Sequence, residues 1–225
     1  MLIARGAAGS VAIVPNGITV KPIVGSDRNA FREKHGIKPG EYAVGVIGRV
    51  EFRQKGQDFA LEAIRRFRHR LEGYKLVFVG QGPDAQKLRS LIADGGLSQI
   101  AQLSPWREDP ASIYAGLDML LISSRFEGVP LVMLEAMSYK LPIVASDVDG
   151  MAEVLPQCWL FPFGDHQALV DRVLQVRSSD NLRILQHNQR LIAEEFASAK
   201  FSERMTRAIL EQESDSAVLH GRTLE

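Results

Sequence analysis

Glu127 and Glu135 are the carboxylates best placed for chemistry in this sequence, with seven residues between them in the run from Phe126 to Ala136. An apolar segment, 119–122, precedes them and ends in the polar pair Ser123 and Ser124. Glu127 and Gly128 follow, and a helical pattern begins near Pro130. The start of a helix offers unpaired backbone N–H groups and the positive end of the peptide dipoles, and both attract an anion. Pro130 has no N–H to give, which leaves Leu131 and Val132 as the donors of that turn. Gly128 lets a ligand approach the backbone with no Cβ in the way. Glu127 stands at the mouth, where its oxygens can accept from hydroxyl groups, and Glu135 lies about one and a half turns inside the helix. Glu135 sits in the otherwise apolar segment 131–137. A carboxylate in such surroundings requires a partner, and a ligand is one candidate. An anion at the helix start, flanked by two hydroxyl-reading carboxylates, describes a nucleotide sugar.

Bringing these groups together requires a scaffold that gathers strand ends. Segments 43–48, 76–80, 119–122 and 143–145 read as strands buried on both faces. Helical patterns at 57–70, 84–93, 110–115 and 131–139 lie between and around them. Asp109 and Pro110 supply an N-cap and a first-turn proline, Leu141 and Pro142 stop the preceding helix, and Asp165 caps a helix running to Val176. Such alternation predicts an α/β fold: one Rossmann-like domain with a parallel sheet and helices on both faces. Ligands in such sheets bind beyond the carboxyl ends of the strands, here after Gly48, Gly80, Ser123 and Ser146. Beyond about residue 180 the pattern is purely helical, at 183–196 and 202–210. The expected organisation is a lead-in at 1–12, a nucleotide-sugar-binding domain at 13–178, C-terminal helices at 179–212 and a flexible tail at 213–225.

Composition narrows the function. Lys plus Arg and Asp plus Glu are both 27 in 225 residues, so there is no basic footprint for nucleic acid, and an anion must be held by a local cluster. The single cysteine, Cys158, excludes an intrachain disulfide and suits a reducing compartment; its apolar run, 158–161, reads as buried. His35, His69, His166, His187 and His220 lack metal-ligand spacing. No apolar run is long enough to span a bilayer, the best being broken by Asp118, and residues 1–14 carry no signal-peptide core. A nicotinamide-binding protein would need G-x-G-x-x-G at a helix start, which is missing. A glycosidase using the two glutamates leaves the helix-start anion site without a role.

Glu127 and Glu135 resemble the E-x7-E motif of retaining GT-B glycosyltransferases of family GT4. Residues 14–17 are similar to the segment that opens the C-terminal domain of that family. Gly48, Arg49 and Val50 followed by Lys55 and Gly56 resemble its G-R-L…K-G element, and 76–83 and 142–150 also match. The resemblance spans about residues 13–210. It implies that Arg49 and Lys55 grip the donor diphosphate, Glu127 contacts the sugar hydroxyls, and Glu135 contacts the ribose. It also gives the N–H groups of Leu131 and Val132 to the distal phosphate. Trp106 and the backbone of Arg107 fall in the base-pocket region, and Gly80 lines the cleft in a tight turn. The stretch from Arg49 to Lys55 is one residue longer than usual in the family, with Arg53 as the substitute should Lys55 be displaced. No cofactor and no metal are expected beside the nucleotide-sugar donor. The resemblance further implies that the N-terminal acceptor domain is not in this chain, and that the chain alone transfers little or nothing. The whole enzyme is expected in the cytoplasm, with peripheral association at the membrane face. The apolar side of the last helix, with Phe201, Met205 and Ile209, packs on that absent domain or on its own. The alternative is a non-catalytic nucleotide-sugar-binding module.

Overall fold

The computed structural model describes residues 14–19, 27–106 and 110–220, without the side chains of Asp27 and of 211–220. The uninterrupted apolar segments form its central strands. Strands β1 (Tyr42–Ile47), β2 (Tyr74–Val79), β3 (Ala101–Ser104), β4 (Met119–Ile122), β5 (Ile143–Ser146) and β6 (Leu160–Phe161) make one sheet, all parallel, in the order β3-β2-β1-β4-β5-β6. Every residue of β4 and β5 is buried. Successive strand side chains point to opposite faces, so both faces of the sheet centre are covered. The chain steps outward from β1 to β3, returns to place β4 on the other side of β1, and steps outward again. That reversal is the switch in strand order where α/β sheets open a crevice.

The helices are α1 (Asp27–Lys34), α2 (Phe52–Lys55), α3 (Gln57–Phe67), α4 (Ala85–Asp94), α5 (Pro110–Gly116), α6 (Leu131–Ser138), α7 (Asp149–Val154), α8 (His166–Ser178), α9 (Leu182–Glu195) and α10 (Ser198–His220). Helix α3 packs on α8, α1 on α5 and α6 on α9. Asp165 caps α8 as expected, its Oδ1 accepting from the Ala168 N–H at 2.9 Å. Asp109 lies outside the described residues. Asp118, which breaks the apolar run in the sequence, ties α1 to the sheet. Its carboxylate meets Arg28 at 2.7 Å, Arg32 at 2.9 Å and the Ala43 N–H at 2.8 Å. Burial pushes this carboxyl up, but those three donors outweigh it and hold it below its ordinary value.

Two expectations are corrected. Cys158 is exposed: a 3-10 turn at Gln157–Trp159 sends Trp159 into the core and Cys158 outward. Helix α10 begins before 202 and continues through the expected tail to His220, over a segment with no glycine or proline to stop it. Its start is fixed by Ile18, whose N–H donates to Phe196 O at 2.8 Å and whose carbonyl accepts from Ser198 at 3.0 Å. Phe201 packs on its own domain near Gly17, whereas Met205 and Ile209 are exposed. No described helix is long and apolar enough to cross a membrane.

Candidate functional site

The loops after β1 and β4 are joined across the switch point. Helix α2 is a single turn that ends on Gly56 in the left-handed region, at φ 61°. A Cβ at Gly56 would lie 2.1 Å from Ser123 O, so only glycine lets this turn press on the end of β4. Ser123 Oγ donates to Lys55 O at 3.0 Å, and Arg125 donates to Gln54 O through its backbone N–H at 2.7 Å and to Phe52 O through Nε at 3.2 Å. On the neighbouring strand, Gly80 (φ 157°) approaches so closely that a Cβ there would stand 1.9 Å from Gly48 O. These contacts fix the floor of the cleft.

Lys55 is thereby aimed at Glu127, Nζ to Oε2 at 2.6 Å, with side chains only 24% and 11% exposed. Helix α2 carries both Arg53 and Lys55, and Arg53 points to solvent. Arg49 is not brought to this pair. Its side chain is 67% exposed and its Nε lies 3.5 Å from Glu51, while its carbonyl accepts from Gln57 at 2.8 Å.

Helix α6 starts beside Glu127. Pro130 is its N-cap, and the N–H groups of Met133 and Leu134 both turn to Pro130 O. Among the described residues nothing accepts from the N–H of Leu131 or Val132, and Leu131 is exposed, so the helix start opens to solvent. A Cβ at Gly128 would meet no protein atom. Glu135 has a partner within the chain: the hydroxyl of fully buried Tyr114 on α5 donates to Oε2 at 2.6 Å. Burial pushes the Glu135 carboxyl up and the Tyr114 bond opposes it; burial, then the Glu135 charge, pushes the Tyr114 phenol well up. Oε1 accepts no bond among the described residues.

Trp106 is exposed beyond β3, and Arg107 lies outside the described residues. Sequence reasoning missed Tyr114, and it missed Asp149, whose Oδ2 accepts from the Glu127 N–H at 3.3 Å. Asp149 lies in the segment 142–150 that resembles the family, but its contact with Glu127 was not foreseen, and Tyr114 lies in the helical pattern 110–115 with no motif to mark it. Among the described residues no group of three or more His, Cys, Asp or Glu gathers as a metal site.

Residues 41–179, the sheet and the helices around this cleft, match the family described as Glycosyl transferases group 1. The chain belongs to that family. The amylovoran biosynthesis glycosyltransferase AmsK of Erwinia amylovora is 30% identical over 138 residues, which cover 56% of this chain and 34% of that protein. The UDP-Gal:alpha-D-GlcNAc-diphosphoundecaprenol alpha-1,3-galactosyltransferase of Escherichia coli is 24% identical over 188 residues, 80% of this chain and 48% of that one. This group 1 chain thus spans at most about half the length of these relatives. The crystal structure of Anabaena HepE in complex with UDP and glucose superposes with a TM-score of 0.81 at 20% identity, over 93% of this chain and 59% of that one. The likeness establishes a shared fold: the group 1 domain is a Rossmann-like domain of the GT-B type.

Proposed function

We propose that this chain is the donor-binding half of a retaining glycosyltransferase of the GT4 type, which takes a sugar from a nucleoside-diphosphate sugar. The observation that carries the reading is the Lys55–Glu127 pair at the switch point, next to a helix start with unclaimed N–H groups. A cation, two N–H donors and a hydroxyl-reading carboxylate within one cleft match a diphosphate joined to a sugar. Names among the relatives point the same way: UDP and glucose for the Anabaena protein, UDP-Gal for the E. coli one.

In this reading the diphosphate lies over the start of α6, with Lys55 and the N–H groups of Leu131 and Val132 on its oxygens. Arg49 swings in from solvent to join them. As the sugar–oxygen bond to the diphosphate breaks, negative charge grows on the leaving oxygen, and these preorganised donors stabilise it more than they stabilise the bound donor. Glu127 accepts from the sugar hydroxyls once Lys55 turns to phosphate, and Glu135 accepts from the ribose through Oε1. No metal is needed where the two cations, once turned to the phosphates, and the N–H groups of the helix start do this work. The acceptor is held by a further N-terminal domain, so the chain alone binds donor and transfers little. The whole enzyme works in the cytoplasm at the membrane face.

Calorimetric titration with uridine, guanosine and adenosine diphosphates tests this, with Arg49→Ala and Glu135→Ala as controls. Binding of one of the three, weakened by both substitutions, is expected. No binding of any at millimolar concentration, or binding indifferent to both substitutions, refutes it.

A further inference from the structure

Two non-glycine residues among those described have positive φ: Lys140 at 56° and Asp149 at 41°. Lys140 follows the end of α6, where Leu141 N–H returns to Ala136 O at 2.9 Å, and a left-handed residue is the normal way to finish a helix. Asp149 begins a helix, where no such reason exists. A left-handed aspartate costs conformational energy, and such strain persists only where surrounding structure imposes it.

The strained turn brings the loop after β5 down onto the loop after β4. There Asp149 Oδ2 accepts from the backbone N–H of Glu127 at 3.3 Å, and that N–H has no other acceptor among the described residues. The next residue, Gly150, lies so close that a Cβ on it would stand 2.8 Å from the Gly128 carbonyl carbon. From the other side, Asn16 Nδ2 donates to Val129 O at 3.1 Å. Residues 127–129 are therefore gripped at both ends while the Glu127 side chain reaches to Lys55.

We infer that Asp149 is the positioning residue for Glu127: its carboxylate, held in place by the left-handed turn, sets where the sugar-reading carboxylate stands. The inference rests on the donor-site reading above. Asp149 acts through the Glu127 backbone, the group its carboxylate holds. It follows that its loss weakens recognition of the sugar and leaves recognition of the diphosphate largely intact.

The test compares the wild-type chain with Asp149→Gly, which relaxes the turn and removes the acceptor, and Asp149→Asn, which keeps an acceptor oxygen and tolerates the same φ. Affinities for UDP and for UDP-glucose or UDP-galactose are measured side by side, together with amide hydrogen exchange of a peptide spanning 127–131 without ligand. Asp149→Gly is expected to weaken nucleotide-sugar binding relative to UDP by about 3- to 10-fold, the scale of one lost hydrogen bond, and to speed exchange at Glu127 and Gly128. Its thermal midpoint stays equal or rises. Asp149→Asn restores both readouts to near wild type. An unchanged ratio of the two affinities in Asp149→Gly, or unchanged exchange at 127–128, overturns the inference. If the wild type binds no nucleotide at all, the donor-site reading fails, and the ligand-free exchange alone decides whether Asp149 holds the loop.

Discussion

Replacing Glu127 by glutamine separates two things that its contact with Lys55 entangles. The glutamate neutralises Lys55, the cation assigned to phosphate in the proposed function, at 2.6 Å and with side chains 24% and 11% exposed. Exposed ion pairs contribute about 0–1 kcal/mol, and breaking a fully buried one costs about 3–5 kcal/mol. A pair this enclosed but still open on one side falls between, at about 1–2 kcal/mol, a factor of roughly 5 to 30. A diphosphate arriving at the wild-type site must draw Lys55 away from Glu127 or bind beside an uncancelled carboxylate. Both oppose the anion, and Glu127→Gln removes both. The variant is therefore expected to bind nucleoside diphosphate about 5- to 30-fold tighter than wild type at pH 7 and low salt. For the intact nucleotide sugar, that gain is offset by loss of a charged acceptor for the sugar hydroxyls, about 1.5–3 kcal/mol, so its affinity stays level or falls. Titration calorimetry with both ligands reads the divergence directly. Weaker or equal diphosphate binding by Glu127→Gln, with the fold intact by circular dichroism, refutes the reasoning.

Lys55→Ala leaves the enclosed Glu127 carboxylate unpaired; diphosphate affinity should fall at least about ten-fold and the thermal midpoint should drop, as seen by calorimetry and a melting scan. Tyr114→Phe removes the donor from Glu135, whose carboxyl burial already raises above its ordinary 4.5. Stability from the neutral Glu135 is fully present below 4.5 and lost as pH rises through the raised value, so the variant should lose about 1.5–3 kcal/mol at pH 8 and less at pH 5 in urea melts. Asp118 has the opposite sign: its carboxyl is held below 3.8, so its stabilisation is present above 3.8 and lost as pH falls through the lowered value. Asp118→Asn should cost about 2–4 kcal/mol at neutral pH and flatten the acid limb of the stability curve. Gly80→Ala places a Cβ against the Gly48 carbonyl and should cost about 3 kcal/mol, measured by denaturant unfolding.

The central strands were legible because burial on both faces leaves an uninterrupted apolar signature, as at 119–122 and 143–145. The edge strands β3 and β6 were not, since they are short and β3 buries only its ends. Helix α1 carries its reason for existing in Arg28 and Arg32, but those side chains make sense only with Asp118, about ninety residues on. Cys158 was misplaced because a single 3-10 turn alternates inside and outside in a way that an apolar run conceals. At the site, residue types and spacing pointed to Glu127 and the start of α6, the family resemblance added Lys55, and these do lie together. What spacing cannot convey is which groups satisfy one another in the absence of ligand. Tyr114 on Glu135 joins two helices and Asp149 on the Glu127 backbone joins the loops after β4 and β5, and the resemblance of 142–150 to the family does not reveal that its aspartate is left-handed.

Helix α2 is fastened at both ends: the Phe52 N–H donates to Asp84 Oδ2 at 2.8 Å and Val50 pairs with Gln81 and Asp84, while Gly56 abuts Ser123 and Arg125 holds the carbonyls of Phe52 and Gln54. The loop after β1 is thereby tied to the loop after β2 as well as to the end of β4, and Lys55 stands on a turn held from both neighbours. The two cations of this loop answer to different controls. Lys55 is indexed to β4 and aimed at Glu127, whereas Arg49 is fixed through its carbonyl alone and its side chain is 67% exposed beside Glu51. One cation of the loop is thus preset and the other adjustable by rotation of its side chain, a division by which one scaffold can suit anions of different span.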